Sequence, residues 1–257
     1  MNPDRLIPIF LAVSLLMLSA CGNAPETASP VDSSTATPPT TSQNTPLEAT
    51  ASDTVRYHGI DVSHHQGDVD WHAVKASGVT FVYAKATEGN DYLDPKFAEN
   101  WEGIKAAGLV RGAYHFFHPN DSAETQARNF IATVKLEPGD LPPVLDIEVS
   151  DGVSRGNIDR EVQRWLEMVS EAYGIRPIIY SDLSFIEENL HSGFSIYPLW
   201  LAEYTDSIPS APGDWKEWVF WQQSDQDVIE GIVSTVDRSV HHGPEGRWKS
   251  LLVPVGQ

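Results

Sequence analysis

Apolar and polar positions follow two periods along this chain, and the switches between them mark out its elements. From Tyr57 onward, short apolar or alternating runs give way to longer stretches with apolar residues three and four apart. The short runs, rich in β-branched and aromatic residues, predict strands over Tyr57–Ser63, Thr80–Ala86, Val110–Phe117, Pro142–Glu148 and Pro177–Ser181. The longer stretches predict helices over Asp70–Ala76, Asp94 or Pro95 to Ala107, Ser122–Lys135, Asn157–Tyr173 and Leu183–Leu190. The fourth helix has the clearest apolar face, with Ile158, Val162, Trp165, Leu166 and Val169 at helical spacing. Gly78, Gly108 and the Pro138-Gly139 pair end the helices before them. Beyond Leu190 the helical period does not return. Leu199–Tyr204, Val219–Ser224 and Ser234–Ser239 read as three more strands joined by loops.

Repeated strand–helix alternation predicts a parallel sheet with crossover helices, and about eight strands predict that the sheet closes. The expected fold is α/β, a TIM-like (β/α) barrel with about five helices carried by residues 55–257. An open doubly wound sheet is the alternative. A glycine-rich dinucleotide fingerprint is missing after the first strand, which weighs against it.

Residues 1–20 follow neither period. Leu6–Ala20 is an apolar run of about 15 residues, short for a membrane span and suited to a signal-peptide core. The positive charge ahead of it is weak, since Asp4 offsets Arg5. Leu18-Ser19-Ala20-Cys21 resembles the lipobox of bacterial lipoproteins, in which cleavage precedes the cysteine and the cysteine carries lipid. Gly22, in place of an aspartate, resembles lipoproteins destined for the outer membrane. A plain secretory signal with a chance cysteine is the other reading. Residues 21–54 hold Ser, Thr, Pro and Ala with almost no large apolar side chains, so a disordered linker is expected there. As a coil it would reach roughly 30 Å. These features predict an exported protein held on a lipid membrane through Cys21.

Charge and composition narrow the partners. The net charge is -19, which excludes nucleic-acid binding through a basic surface. Cys21 is the only cysteine, so neither an intrachain disulfide nor a cysteine-based metal site can form. His64-His65 and His241-His242 are adjacent pairs, and strand neighbours face opposite ways, which suits shared metal ligation poorly. No metal or cofactor is expected, and the chain is expected to act as a monomer.

The chemistry gathers where the predicted strands end. Asp146 and Glu148 are two residues apart in an apolar strand, so they share a face, while Leu145 and Ile147 take the other. Alone, this pair also fits a surface strand end with both acids solvated. Barrel active sites lie at the C-terminal ends of strands, however, and Asp61, Asp146, Glu148 and Asp237 all fall at or near predicted strand ends. So do Tyr114, Phe116, Tyr180, Trp200, Tyr204 and Gln222, candidates for substrate contact. Carboxyl groups crowded into one pocket push their pKa values apart, which lets one stay protonated beside an ionised neighbour. Acid-assisted cleavage of a glycosidic bond needs that combination. Lys85 and Glu88 read as a structural ion pair, His64 and His65 as groups fixing the first loop, and Trp215–Trp221 as packing.

The motifs resemble a known family. Gly59-Ile60-Asp61-Val62-Ser63-His64-His65-Gln66-Gly67 with Asp70-Trp71, Ala84-Lys85-Ala86-Thr87-Glu88-Gly89, Gly112-Ala113-Tyr114-His115-Phe116 and Asp146-Ile147-Glu148 are similar to blocks of glycoside hydrolase family 25, the Chalaropsis-type lysozymes. Leu199–Tyr204, Trp221-Gln222-Gln223 and Val236-Asp237 resemble its later blocks, and the resemblance runs from Tyr57 to Ser239. It implies an irregular eight-stranded barrel that cleaves the β-1,4 bond between N-acetylmuramic acid and N-acetylglucosamine in peptidoglycan. It also implies Glu148 as general acid, Asp146 as a partner assisting the substrate N-acetyl group, and Asp61 and Asp237 as further site carboxylates. Arg238 departs from the family's usual last block, and its side chain is expected to turn away from the mouth. A non-catalytic wall-binding lipoprotein, or a glycosidase for another N-acetylated glycan, are the alternatives.

Overall fold

The computed structural model describes residues 54–254. The signal peptide, the lipidated Cys21 and nearly all of the linker expected from the sequence lie outside the described residues. The elements run β1 (Thr54–Val62), a 3-10 turn (His64–Gln66), α1 (Trp71–Ala76), β2 (Phe81–Glu88), β3 (Tyr92–Leu93), α2 (Phe97–Ala106), β4 (Val110–Phe116), α3 (Ala123–Thr133), β5 (Val144–Asp146), α4 (Arg155–Tyr173), β6 (Ile178–Asp182), α5 (Leu183–Asn189), β7 (Leu199–Ala202), β8 (Phe220–Asp227), β9 (Val236–Pro244) and α6 (Glu245–Leu251).

All strands join one sheet in the order β1-β9-β8-β7-β6-β5-β4-β2-β3, and β1 also pairs with β2. Eight strands thus close into a barrel, with β3 attached to β2 as a short hairpin. The neighbours from β1 through β2, β4, β5, β6 and β7 to β8 are parallel, but β9 runs antiparallel to both β8 and β1. The sequence predicted a parallel sheet, and β9 corrects it. The loop from Val228 to Thr235 is too short for a parallel crossover, which takes about a dozen residues or more, so the chain turns back as a hairpin.

Strand alternation divides the core into two layers. Phe81, Tyr83, Val144, Ile178, Trp200 and Phe220 fill the barrel interior. Their strand neighbours Val82, Leu145, Ile179, Leu199 and Leu201 face outward under the helices, against Phe130, Ile158 and Trp165. Interior glycines make room for the rings. A Cβ on Gly59 would lie 2.2 Å from the Phe81 ring, and one on Gly112 the same distance from Tyr83.

Three features escaped the sequence pattern. β1 begins at Thr54, because it pairs with a β9 that continues to Pro244 rather than stopping at Ser239. α6 was missed because it is short and buries only Trp248. That indole stacks on Tyr57 at 4.3 Å and packs beside Phe81 and Phe220 at the foot of the barrel. β3 is too short to carry a period.

Candidate active site

The barrel brings all four predicted acids to one mouth. Asp61 is the penultimate residue of β1, and Asp146 ends β5. Glu148 follows two residues later, beyond the strand. Asp237 is the second residue of β9, so the expectation of a C-terminal strand end is corrected for this acid. The reversal of β9 is what carries its start to the mouth, where Asp237 pairs in register with Asp61. A cavity of about 240 Å³ is lined by all four carboxyl groups together with Tyr114, Phe116, Tyr180 and Trp200.

The acids form two close pairs. Asp61 and Asp237 are within hydrogen-bonding reach of each other. Burial pushes Asp61 well above the usual carboxylate range, and Asp237 pushes it further. Burial also raises Asp237, with Asp225 adding to the shift. Asp146 is raised well above its usual value, first by burial and then by Glu148 beside it. The Glu148 side chain opens to solvent at the mouth, yet protein surrounds it closely enough that lost hydration is still the first cause of its upward shift. The charges of Asp182 and Asp237 raise it further, while Lys85 opposes the shift on both Glu148 and Asp146. Each pair therefore titrates as a unit and can hold a proton well above the ordinary carboxylate range. Asp146 is 6% exposed, and its Oδ1 has no hydrogen-bond partner within the protein.

Polar and aromatic side chains fix these groups. The Gln222 Oε1 accepts from the Tyr180 hydroxyl at 2.8 Å and the Tyr204 hydroxyl at 2.9 Å. Its Nε2 donates to Asp61 Oδ2 at 3.1 Å. Gln222 is fully buried, so the structure makes it a brace for the wall rather than the substrate contact expected from the sequence. Trp200 is only 2% exposed; it donates to Ser239 Oγ at 3.0 Å and packs against Tyr83 and Tyr180, which makes it the pocket floor. Tyr204 lies past the end of β7, 55% exposed, on a neighbouring cavity that shares Glu148 and Tyr180 with the first. Half-buried Tyr114 and Phe116 form the opposite wall.

The barrel is matched by known proteins. The family model described as "Glycosyl hydrolases family 25" matches residues 60–232. The chain belongs to this family. Among its relatives, the uncharacterized protein YegX of Escherichia coli O157:H7 is 42% identical over 76% of this chain and 73% of its own. Lysozyme M1 of Streptomyces globisporus is 34% identical over 77% of this chain and 72% of its own. The crystal structure of the bacterial lysozyme from Streptomyces coelicolor superposes with a TM-score of 0.73 at 33% identity, covering 77% of this chain and 98% of that one.

The pocket is also lined by side chains that the sequence pattern did not mark as substrate contacts. Ser63, His65 and Gln66 line the pocket beside Asp61. They are held by a reciprocal cap in which the Ser63 side chain accepts from the His65 backbone and Gln66 returns to the Ser63 N–H at 2.8 Å. The Ser-x-x-Gln spacing was the available signal. His64 bonds Asp94 at 2.8 Å and so fixes this loop, as expected. Lys85 pairs with Glu88 at 2.5 Å but also reaches the pocket wall. Asp182, which caps α5, and Glu203 line the neighbouring cavity. Arg238 pairs with Asp227 at 2.6 Å and is not among the residues lining the pocket.

Proposed function

We propose that this family 25 chain is an N-acetylmuramidase that hydrolyses the β-1,4 bond between N-acetylmuramic acid and N-acetylglucosamine in peptidoglycan. The observation that carries the proposal is the convergence of four carboxyl groups from β1, β5 and β9 in one pocket, as two close pairs with raised pKa values. Glu148, at the open mouth, gives the proton that its pair with Asp146 holds to the departing glycosidic oxygen as the bond to the anomeric carbon breaks. Asp146 accepts the substrate amide N–H through its free Oδ1 and so aligns the acetamido carbonyl behind that carbon. Water then adds at the anomeric carbon and Glu148 recovers its proton. Asp61 and Asp237 share a proton and bind sugar hydroxyls on the far wall. Tyr114, Phe116 and Tyr180 pack the sugar ring over the Trp200 floor, and Tyr204 flanks the next unit.

The full chain incubated with purified peptidoglycan should release products with N-acetylmuramic acid at the reducing end, read by mass spectrometry and absent with Glu148→Gln. Co-sedimentation without soluble product would favour the non-catalytic wall-binding reading. Cleavage confined to another N-acetylated glycan would favour the second alternative.

We also infer lipid attachment at Cys21 and residence at the outer membrane. Thr54 starts β1 at the end of the barrel away from Asp61, roughly 23 Å along the strand, so the preceding linker joins the barrel opposite its mouth. Cys21→Ser should move the protein from the membrane pellet to the soluble fraction after cell lysis, read by immunoblot. Retention in the pellet would place the anchor elsewhere.

A further inference from the structure

The short loop between Glu148 and α4 is tied to the rest of the mouth through one side chain. Asp151, in this loop, has φ of 50°, the only positive φ outside glycine among the described residues, and Gly152 follows it at 75°. Its Oδ2 meets Nδ1 of His118 at 2.9 Å. Nε2 of the same ring meets Glu88 Oε1 at 3.0 Å. A neutral imidazole has one N–H and would turn a lone pair toward one of these carboxylates, so only the imidazolium satisfies both contacts. The other Glu88 oxygen accepts from Lys85, whose charge acts on Asp146 and Glu148. His118 is itself held, because its backbone N–H and C=O both bond the fully buried Gln126 side chain, at 3.0 and 2.9 Å.

We propose that His118 is a positioning residue for the reaction: as an imidazolium it clamps the Glu148 loop, through Asp151, to the Glu88–Lys85 pair, and its deprotonation releases the loop and lowers turnover. This rests on the muramidase reading above. The charged groups around the ring are Glu88 and Lys85 on β2, Asp151 on the loop, and Asp121 beside Gly89, where His118 also packs. His115 on β4 is buried and pushed down to about 3, so it stays neutral. Burial pulls the His118 pKa down, but the Glu88 and Asp151 carboxylates outweigh it and hold the pKa above 6.5. The clamp is therefore closed in acid and opens as pH rises through that raised value.

The test uses the full chain, soluble glycan strands as substrate, and ring resonances of His118 followed by NMR. Wild-type kcat should show a fall whose midpoint matches the His118 titration. His118→Gln should lower kcat about tenfold near pH 6 with KM within about twofold, and should lack that fall. Asp151→Asn should do the same, and the double variant should be no worse than either single one. Wild-type kcat and pH profile in folded His118→Gln protein would overturn the clamp, as would additive losses in the double variant. If the wild type cleaves nothing at any pH, the muramidase reading fails instead. The clamp is then read from the Asp151 and Gly152 amide resonances, which should shift with the His118 midpoint; amides that do not move would overturn it.

Discussion

Glu148→Gln should lower kcat by about 10³-fold while leaving glycan affinity within a few-fold of wild type. The amide has nearly the shape of the acid but no proton to give to the leaving oxygen. Its surroundings favour a neutral group, because burial penalises its charge and Asp182 and Asp237 repel it, which together outweigh the Asp146 hydrogen bond and Lys85 that favour the charged form. Folding should therefore not suffer. The sign of the pH dependence agrees. A carboxyl whose folded pKa is raised contributes stability that is present below its unfolded pKa and is lost as pH rises through the folded one. All four site acids are raised, so the stability they contribute should be fully present in acid and be lost in part as pH climbs out of the carboxylate range. Glu148→Gln removes one share of the loss, so its Tm near neutral pH should equal or exceed that of wild type. Turnover on soluble glycan strands, calorimetric affinity and a thermal melt together separate the outcomes. A variant that keeps wild-type kcat would pass the proton donor's role to another group, with Asp146→Asn as the next variant to assay.

The sequence showed what depends on local periodicity. The two-residue step from Asp146 to Glu148 placed both acids in one pocket, although β5 itself stops at Asp146. The apolar face of α4 was equally readable, since Ile158, Val162, Trp165, Leu166 and Val169 are all buried. What depends on pairing partners was hidden. Nothing within Val236–Ser239 says that this strand runs backward, so Asp237 was placed at the mouth for the wrong reason. Burial depth was hidden too. Trp200 and Gln222 sit on strands where parity points them toward the barrel axis, but parity does not distinguish a residue at the cavity surface from one beneath it. The His118 contacts join three separate stretches of chain, and no spacing within any one of them signals the others.

The largest stability effect is expected far from the mouth, at Asp140→Ala, which should cost about 3 kcal/mol. Arg111, the second residue of β4, is 1% exposed. Its Nε and Nη2 bond the two Asp140 oxygens at 3.0 and 3.3 Å, and its Nη1 bonds the Trp101 carbonyl at 3.0 Å. The guanidinium lies 4.0 Å from the Trp101 ring centre, which adds a cation–π contact with α2. Asp140 also accepts from the Glu137 backbone at 2.8 Å, which fixes the turn that leads toward β5. Removing Asp140 leaves a buried cation with only Glu102 at 3.7 Å and Glu137 at 3.6 Å, both on exposed side chains. Those two carboxylates place the cost at the lower end of the usual range for an orphaned buried charge. A pair of apolar replacements, Arg111→Met with Asp140→Leu, should lose less than the single variant, because no uncompensated charge remains. The measurement is the urea midpoint at constant slope. Phe116, at the pocket wall, lies five residues further along β4, roughly 16 Å away, so kcat of the folded fraction should stay at the wild-type value. A change below about 1 kcal/mol in Asp140→Ala would mean that Glu102 and Glu137 close in on the guanidinium, and that the pair serves to orient the turn rather than to hold the barrel together.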